Sequence, residues 1–234
     1  MVFDRILAVS DIHGEHDKFL KLLEKAEYNS TCDLLIVCGD MIDRGNQNLD
    51  TIQTCQKLQQ QGAVLLKGNH EQFAQECIQD IILERPSEAL QLWVMNNGGA
   101  VTYDELVNLS KAELKDLLSF LRRLPLYFEI QNYIFVHAGV EAKKPLDKNT
   151  EDELIWSDDS FYYCPTYKGK TVIFGHTPTF LLTTPKKRND KAYKQSAKIW
   201  YDQTFKDKIG IDCGSVFGGR LAAIELPSGR EFYV

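Results

Sequence analysis

The chain has 234 residues, 44% of them hydrophobic, and 27 Lys and Arg against 33 Asp and Glu, for a formal net charge of −6. That length and apolar content allow a sizeable core and read as one globular domain over residues 1–234, while the acidic balance argues against dedicated nucleic-acid binding. Asp4 and Arg5 interrupt any cleavable signal pattern, no apolar stretch approaches the ~20 residues needed to span a bilayer, and six scattered cysteines without a C-x-x-C pair read as reduced packing residues of a cytoplasmic protein.

The first predicted strand, Ile6 to Val9, runs into Asp11-Ile12-His13-Gly14. Apolar residues at helical spacing between Asp17 and Tyr28 predict a helix after it. A second strand, Leu34 to Val37, ends in Gly39-Asp40-Met41-Ile42-Asp43-Arg44-Gly45, and a helix candidate follows from Asn48 to Gln61. A third apolar run, Ala63 to Leu66, ends in Gly68-Asn69-His70-Glu71. A helix is expected from Glu71, interrupted near Pro86, resumed to about Asn96 and broken by Asn97-Gly98-Gly99. Ser110-Lys111-Ala112-Glu113 is a capping box that starts another helix to about Leu121. Residues 72–124 thus read as a mainly helical insertion.

Strands then dominate: 126–130, 133–136, 171–174, 209–212, 221–226 and 231–234. Two of them end in His137-Ala138-Gly139 and Gly175-His176-Thr177. Apolar runs of this kind suit strands buried on both faces, and active sites of α/β sheets gather beyond their carboxyl ends. The fold class read from this order is α/β, with two packed sheets and helices outside them. Thr183 to Lys198 is a basic stretch, read as a solvated loop or as an electropositive rim for phosphorylated substrates.

The five clusters form the inventory of a metallohydrolase. Asp11 and His13 can share one cation, Asp40 can bridge two, and Asn69, His137 and His176 can complete the ligand set of the second cation. Mixed carboxylate, amide and imidazole donors suit Mn, Fe or Zn rather than Ca, and the lack of cysteine argues against a closed structural zinc site. Two cations ~3.5–4 Å apart suit in-line displacement at phosphorus by a metal-activated water. No nucleophile elbow suggests a covalent route. Arg44 can grip two phosphate oxygens. His70 can protonate a departing alkoxide, with Asp43 to orient it and keep it charged. His16 reads as a surface residue, Glu71 as a helix-start residue, and Trp93 and Trp200 as packing residues.

DIHG at Asp11, GDMIDRG at Gly39, GNHE at Gly68, HAG at His137 and GHTP at Gly175 resemble the phosphoprotein phosphatase family of calcineurin-like metallophosphoesterases. The length and the Ile211 to Leu221 block look most like the compact bacterial and bacteriophage lambda-type Ser/Thr protein phosphatases. The resemblance covers about residues 4 to 226. It implies a sandwich of two mixed β-sheets flanked by helices and a two-metal centre, often with Mn. It implies Asp11, His13, Asp40, Asn69, His137 and His176 as metal ligands, Arg44, Asn69 and His70 on the phosphate, and an Asp43–His70 acid pair. Compact relatives carry a second phosphate-binding arginine shortly after a tryptophan. Here Trp156 is followed by Ser157, Asp158 and Asp159, and Lys168, Lys170 or Arg220 are the candidates to stand in.

The function expected is a protein Ser/Thr phosphatase dependent on two divalent ions, Mn first, then Fe, Zn or Co. Its partner is a phosphorylated protein or a small phosphate ester or anhydride, with no membrane and no dedicated nucleic-acid binding. The alternatives are a symmetrical dinucleoside polyphosphate hydrolase, a broad small-molecule phosphatase and, from a different class, a silent binding scaffold; the last is opposed by the presence of all six ligands and His70.

Overall fold

A computed structural model describes residues 3, 5–156, 158–183 and 189–234. The strands β1 (Arg5–Val9), β2 (Asp33–Val37) and β3 (Val64–Leu65) run parallel. β9 (Ala222–Leu226) pairs antiparallel with β1, and β10 (Glu231–Tyr233) antiparallel with β9, giving the order β10-β9-β1-β2-β3. The second sheet combines β4 (Tyr127–Ile130), β5 (Tyr133–Val136), β6 (Thr171–Phe174), β7 (Trp200–Tyr201) and β8 (Lys208–Gly210) in the order β4-β5-β6-β8-β7, with β5, β6 and β8 parallel.

The two-residue side-chain period sorts each strand between two cores. Ile6, Ala8, Leu34 and Ile36 of the first sheet meet Phe135 and Ile173 of the second between the sheets. Leu7, Val9, Leu35 and Val37 point the other way, into helices. Ile134, Val136, Val172 and Phe174 do the same on the far side of the second sheet. This is the expected sandwich of two mixed sheets flanked by helices, and it explains why the five runs are apolar at every position.

The helices α1 (His16–Lys25) and α2 (Asn48–Gln60) agree closely with the sequence pattern. Between β3 and β4 lie α3 (Asn69–Ile82), α4 (Glu88–Asn96), α5 (Ala100–Leu106) and α6 (Lys111–Arg122), so this helical stretch is the crossover from one sheet to the other. The Ser110 capping box opens α6 as expected. α3 begins at Asn69, two residues before the expected start, because Gly68 is its N-cap. The helix α5, directly after the glycine pair, was not anticipated. The strand expected over 209–212 stops at Gly210, because the Asp212 carbonyl accepts the Thr179 N–H and its carboxylate accepts the Gly214 N–H (2.7 Å).

Among the described residues no helix is long and apolar enough to cross a membrane. All six cysteines are free thiols; Cys38, Cys55, Cys77 and Cys213 are buried, whereas Cys164 is exposed.

Candidate metal centre

The loops that follow β1, β2, β3, β5 and β6 converge, and they bring all six expected ligands together. Among the described residues, six of the ten non-glycine residues with positive φ lie in these loops: Asp11, His13, Asp40, Asp43, Arg44 and His176. Backbone held in the left-handed region costs free energy at each residue, and such strain clusters where function requires it. Close approach tightens the loops further. A Cβ on Gly68 would overlap the Asp40 carboxylate, and one on Gly175 would overlap Ser10 Oγ and Asp11 Oδ2.

The carboxylates are aimed by main-chain and hydroxyl donors. Asp11 Oδ2 accepts from Ser10 Oγ (2.5 Å) and from the His176 N–H (2.9 Å), while its Oδ1 lies 3.9 Å from His13 Nε2. Asp40 faces both halves of the cluster. Its Oδ2 is 3.6 Å from His13 Nε2 and 3.8 Å from His70 Nε2, and its Oδ1 is 3.4 Å from His137 Nε2. Asn69 Oδ1 sits 2.9 Å from both His137 Nε2 and His176 Nδ1. Two donor groups within ion-holding distance result: His13, Asp40 and His70 on one side, and Asp40, His137 and His176 on the other. The spatial grouping of His70 with His13 and Asp40 goes beyond its expected role as an acid.

The tautomers show that these residues fit metal ions. His13 Nδ1–H donates to the Ile42 carbonyl and His137 Nδ1–H to the Cys38 carbonyl, each at 2.8 Å. A carbonyl only accepts, so the neutral ring presents its Nε2 lone pair to the cluster. Arg44 Nη1, which only donates, meets His13 Nε2 at 2.5 Å and thereby identifies that atom as an acceptor. Backbone partners of this kind orient metal-ligating histidines.

Electrostatics point the same way. Burial raises Asp11 and Asp40 above the ordinary carboxylate value, and mutual repulsion with Asp11 and Glu71 raises Asp40 further. Asp212 is also pushed up, by burial and then by Asp11. Burial lowers His13 and His137, and with help from the neighbouring His137 it lowers His176 to about 3. Buried carboxylates that repel one another, facing imidazoles that carry no positive charge, form a site suited to cations.

His70 Nδ1 lies 2.7 Å from Asp43 Oδ2, so the expected pair is in contact. Burial pulls His70 well below the ordinary imidazole range and pushes Asp43 up to about 6. Arg44 reaches the cluster, and its guanidinium stacks over Phe217 at 4.9 Å.

Two candidates for the missing arginine are engaged elsewhere. Lys170 bonds Glu129 (2.6 Å) and the Gln131 carbonyl (2.8 Å), and Arg220 bonds the Ala197 carbonyl and stacks on Tyr233. Lys168 is exposed. In the basic stretch, residues 184–188 lie outside the described residues, and Lys194 covers the Phe180 ring.

Several positioning groups escaped the sequence reading. Glu71 does start its helix, accepting the Gly68 N–H, but it also accepts the N–H groups of Asp40 and Met41, each at 2.8 Å, and so ties two strand-end loops together. Trp93 is buried as expected of a packing residue, yet its indole N–H bonds Asp43. Asn48 holds the Asp43 N–H and is itself held by Glu105. The Glu71 signal was its three-residue spacing from Gly68. Trp93 and Glu105 lie too far from their partners in sequence to leave a local signal. His16 is partly buried against Thr54 rather than free on the surface.

Comparison with known proteins adds four findings. The model of the calcineurin-like phosphoesterase family matches residues 4–211. Serine/threonine-protein phosphatase 2 of Escherichia coli is 28% identical over 232 residues, covering 96% of this chain and 94% of that protein. The symmetrical bis(5'-nucleosyl)-tetraphosphatase of Nitrosospira multiformis is 24% identical, covering 97% and 94%. A crystal structure assigned provisionally as a diadenosine tetraphosphatase superposes with a TM-score of 0.70 at 21% identity, covering 98% and 92%.

Proposed function

Because the chain belongs to the calcineurin-like phosphoesterase family, we propose that it is a metal-dependent phosphomonoesterase acting on Ser/Thr-phosphorylated protein. Asp11, His13 and Asp40 would hold one divalent ion, and Asp40, Asn69, His137 and His176 the other, with Mn the first choice and Fe, Zn or Co the alternatives. When bound, the pair supplies Lewis acidity toward the phosphoryl oxygens and a deprotonated water for in-line attack.

The rest of the chemistry falls to side chains. Arg44 binds phosphate oxygens with its planar fork, and Asn69 and His70 line the same pocket. Phe217 beneath the guanidinium limits its swing. Asp43 fixes the His70 ring, so Nε2 faces Asp40 and the pocket. A dianionic phosphate beside Nε2 offsets the burial that lowers this ring, so the imidazole takes up its proton with the substrate and passes it to the departing seryl or threonyl oxygen.

The observation that carries this reading is the buried Asp43–His70 pair. An alkoxide is a poor leaving group and needs that proton, whereas a nucleoside phosphate released from an anhydride does not. The relatives carry both names at similar identity, and cleavage of dinucleoside polyphosphates is the competing reading. Parallel assays of the Mn(II)-loaded protein on a phosphoserine peptide and on diadenosine tetraphosphate decide between them. We expect higher kcat/KM on the peptide; a large preference for the dinucleotide overturns the assignment. His70→Asn is expected to lower kcat on the peptide by about 10²–10³-fold.

A further inference from the structure

Trp93 of α4 is fully buried, and Thr102 of α5, one helix later, is buried as well. Trp93 Nε1–H donates to Asp43 Oδ2 at 2.6 Å, and Thr102 Oγ–H donates to Asp43 Oδ1 at 2.5 Å. With His70 Nδ1 on Oδ2, the Asp43 carboxylate takes three side-chain donors. The segment between these two residues reaches the next position as well. The Gly98 carbonyl accepts the Arg44 N–H (2.9 Å), and a Cβ on Gly98 would meet Arg44 Cγ. Gly99 lies flat against the Trp93 ring, where a Cβ has no room.

We propose that Trp93 and Thr102 are positioning residues of the reaction, and that the α4–α5 corner exists to keep Asp43 an acceptor for His70. This rests on the acid role given to His70 above. The physical reason lies in the donors. An indole N–H can only donate, and a threonine hydroxyl facing an ionised carboxylate does the same. The Trp93 and Thr102 donors stabilise the ionised carboxylate, so a proton moving from His70 Nδ1 onto Oδ2 would meet a weaker base. The clamp therefore keeps the proton on Nδ1 and leaves Nε2 as the exchangeable position that faces the substrate. The corner fixes the Arg44 backbone from the same loop, so the phosphate clamp and the acid are held by one element that contributes no atom to either.

The test uses the Mn(II)-loaded full chain with Thr102→Val, which keeps the volume and removes the donor, Thr102→Ser as the rescue, and Trp93→Phe. On a phosphoserine peptide, Thr102→Val and Trp93→Phe are expected to lower kcat about 10-fold or more with KM within about 2-fold. On p-nitrophenyl phosphate, whose leaving group needs no proton, both are expected to stay within about 3-fold. Thr102→Ser is expected to restore peptide turnover. Equal losses on the two substrates, or a loss confined to KM, overturn the proposal.

Proton NMR of the metal-free protein gives a readout independent of turnover. The low-field Nδ1–H line of His70, identified by its loss in Asp43→Asn, is expected to move further downfield in Thr102→Val. An unmoved line overturns the proposal. If His70→Asn retains full peptide turnover, the acid role falls and the NMR line alone decides whether the clamp acts on the pair.

Discussion

The two ends of the first sheet carry similar charges and treat them in opposite ways. Where β1 begins, the Arg5 guanidinium bonds Asp33 (2.9 and 3.0 Å), Glu225 (2.8 Å) and the carbonyls of Ala26 and Glu27. Burial alone would raise Asp33, but Arg5 and the Asn29 N–H hold it below its ordinary value, and Ser228 with Arg5 does the same for Glu225. Beyond the opposite ends of β1 and β2, Asp11 and Asp40 are buried beside each other and pushed up. At the first end the chain supplies its own counter-charge. At the second it spends glycines and left-handed backbone to place carboxylates that its own cations do not neutralise. A structural end is electrically closed and a functional end is left open to charge from solution.

Chelation should separate the ends most strongly. Stripping divalent ions is expected to take activity to background and to lower Tm. Metal ions compete with protons for the ligands, and Asp11 and Asp40 hold their protons to higher pH than ordinary carboxylates. Their contribution to the stability of the stripped protein is therefore present at low pH and lost as pH rises through their folded values, while the loaded protein is spared that loss. The Tm gap between loaded and stripped protein should widen from about pH 5.5 to pH 8, measured by calorimetry at both. A gap that does not change with pH would remove the contrast.

Next in size, Asp40→Asn keeps the shape but removes the charge that faces both donor groups. It is expected to cost about 10³-fold or more in kcat and to reduce the bound metal from two ions to one by elemental analysis. The smallest effect on activity, within about 2-fold, is expected from Arg5→Met. That change leaves Asp33 buried without its cation, for about 3 kcal/mol of stability at pH 7 by denaturant titration. Asp33 and Glu225 have lowered folded values, so their contribution is present above about pH 4 and lost as pH falls through those values. The acid-side slope should flatten in the variant. A variant that keeps the wild-type slope would show that Arg5 is not what closes this end.

Much of the site was legible because each ligand ends an apolar run. A strand buried on both faces has no polar residue along it, so Asp11, Asp40, Asn69, His137 and His176 stand out at the boundary. The Ser110 box was equally plain, since all its bonds fall within four residues. What could not be read are bonds formed across the fold. Trp93 is apolar in any local pattern, and its acceptor Asp43 lies fifty positions away, brought near only when α4 folds back. Glu71 reaches Asp40 and Met41 across thirty. Lys170 and Arg220 were candidates as basic residues, but each bonds a backbone carbonyl, of Gln131 and of Ala197, and nothing in their local sequence announces it. β7, two residues long, is defined by its pairing with β8 rather than by its composition.

His137 and His176 reach the cluster from the second sheet, whereas Asp11, Asp40 and Asn69 reach it from the first. A nascent chain exposes the two acids and the amide long before either of these imidazoles has left the ribosome. Under the ligand set proposed here, full loading must wait until the two halves have docked, so ion capture doubles as an inspection of the finished sandwich and keeps a half-made enzyme inert.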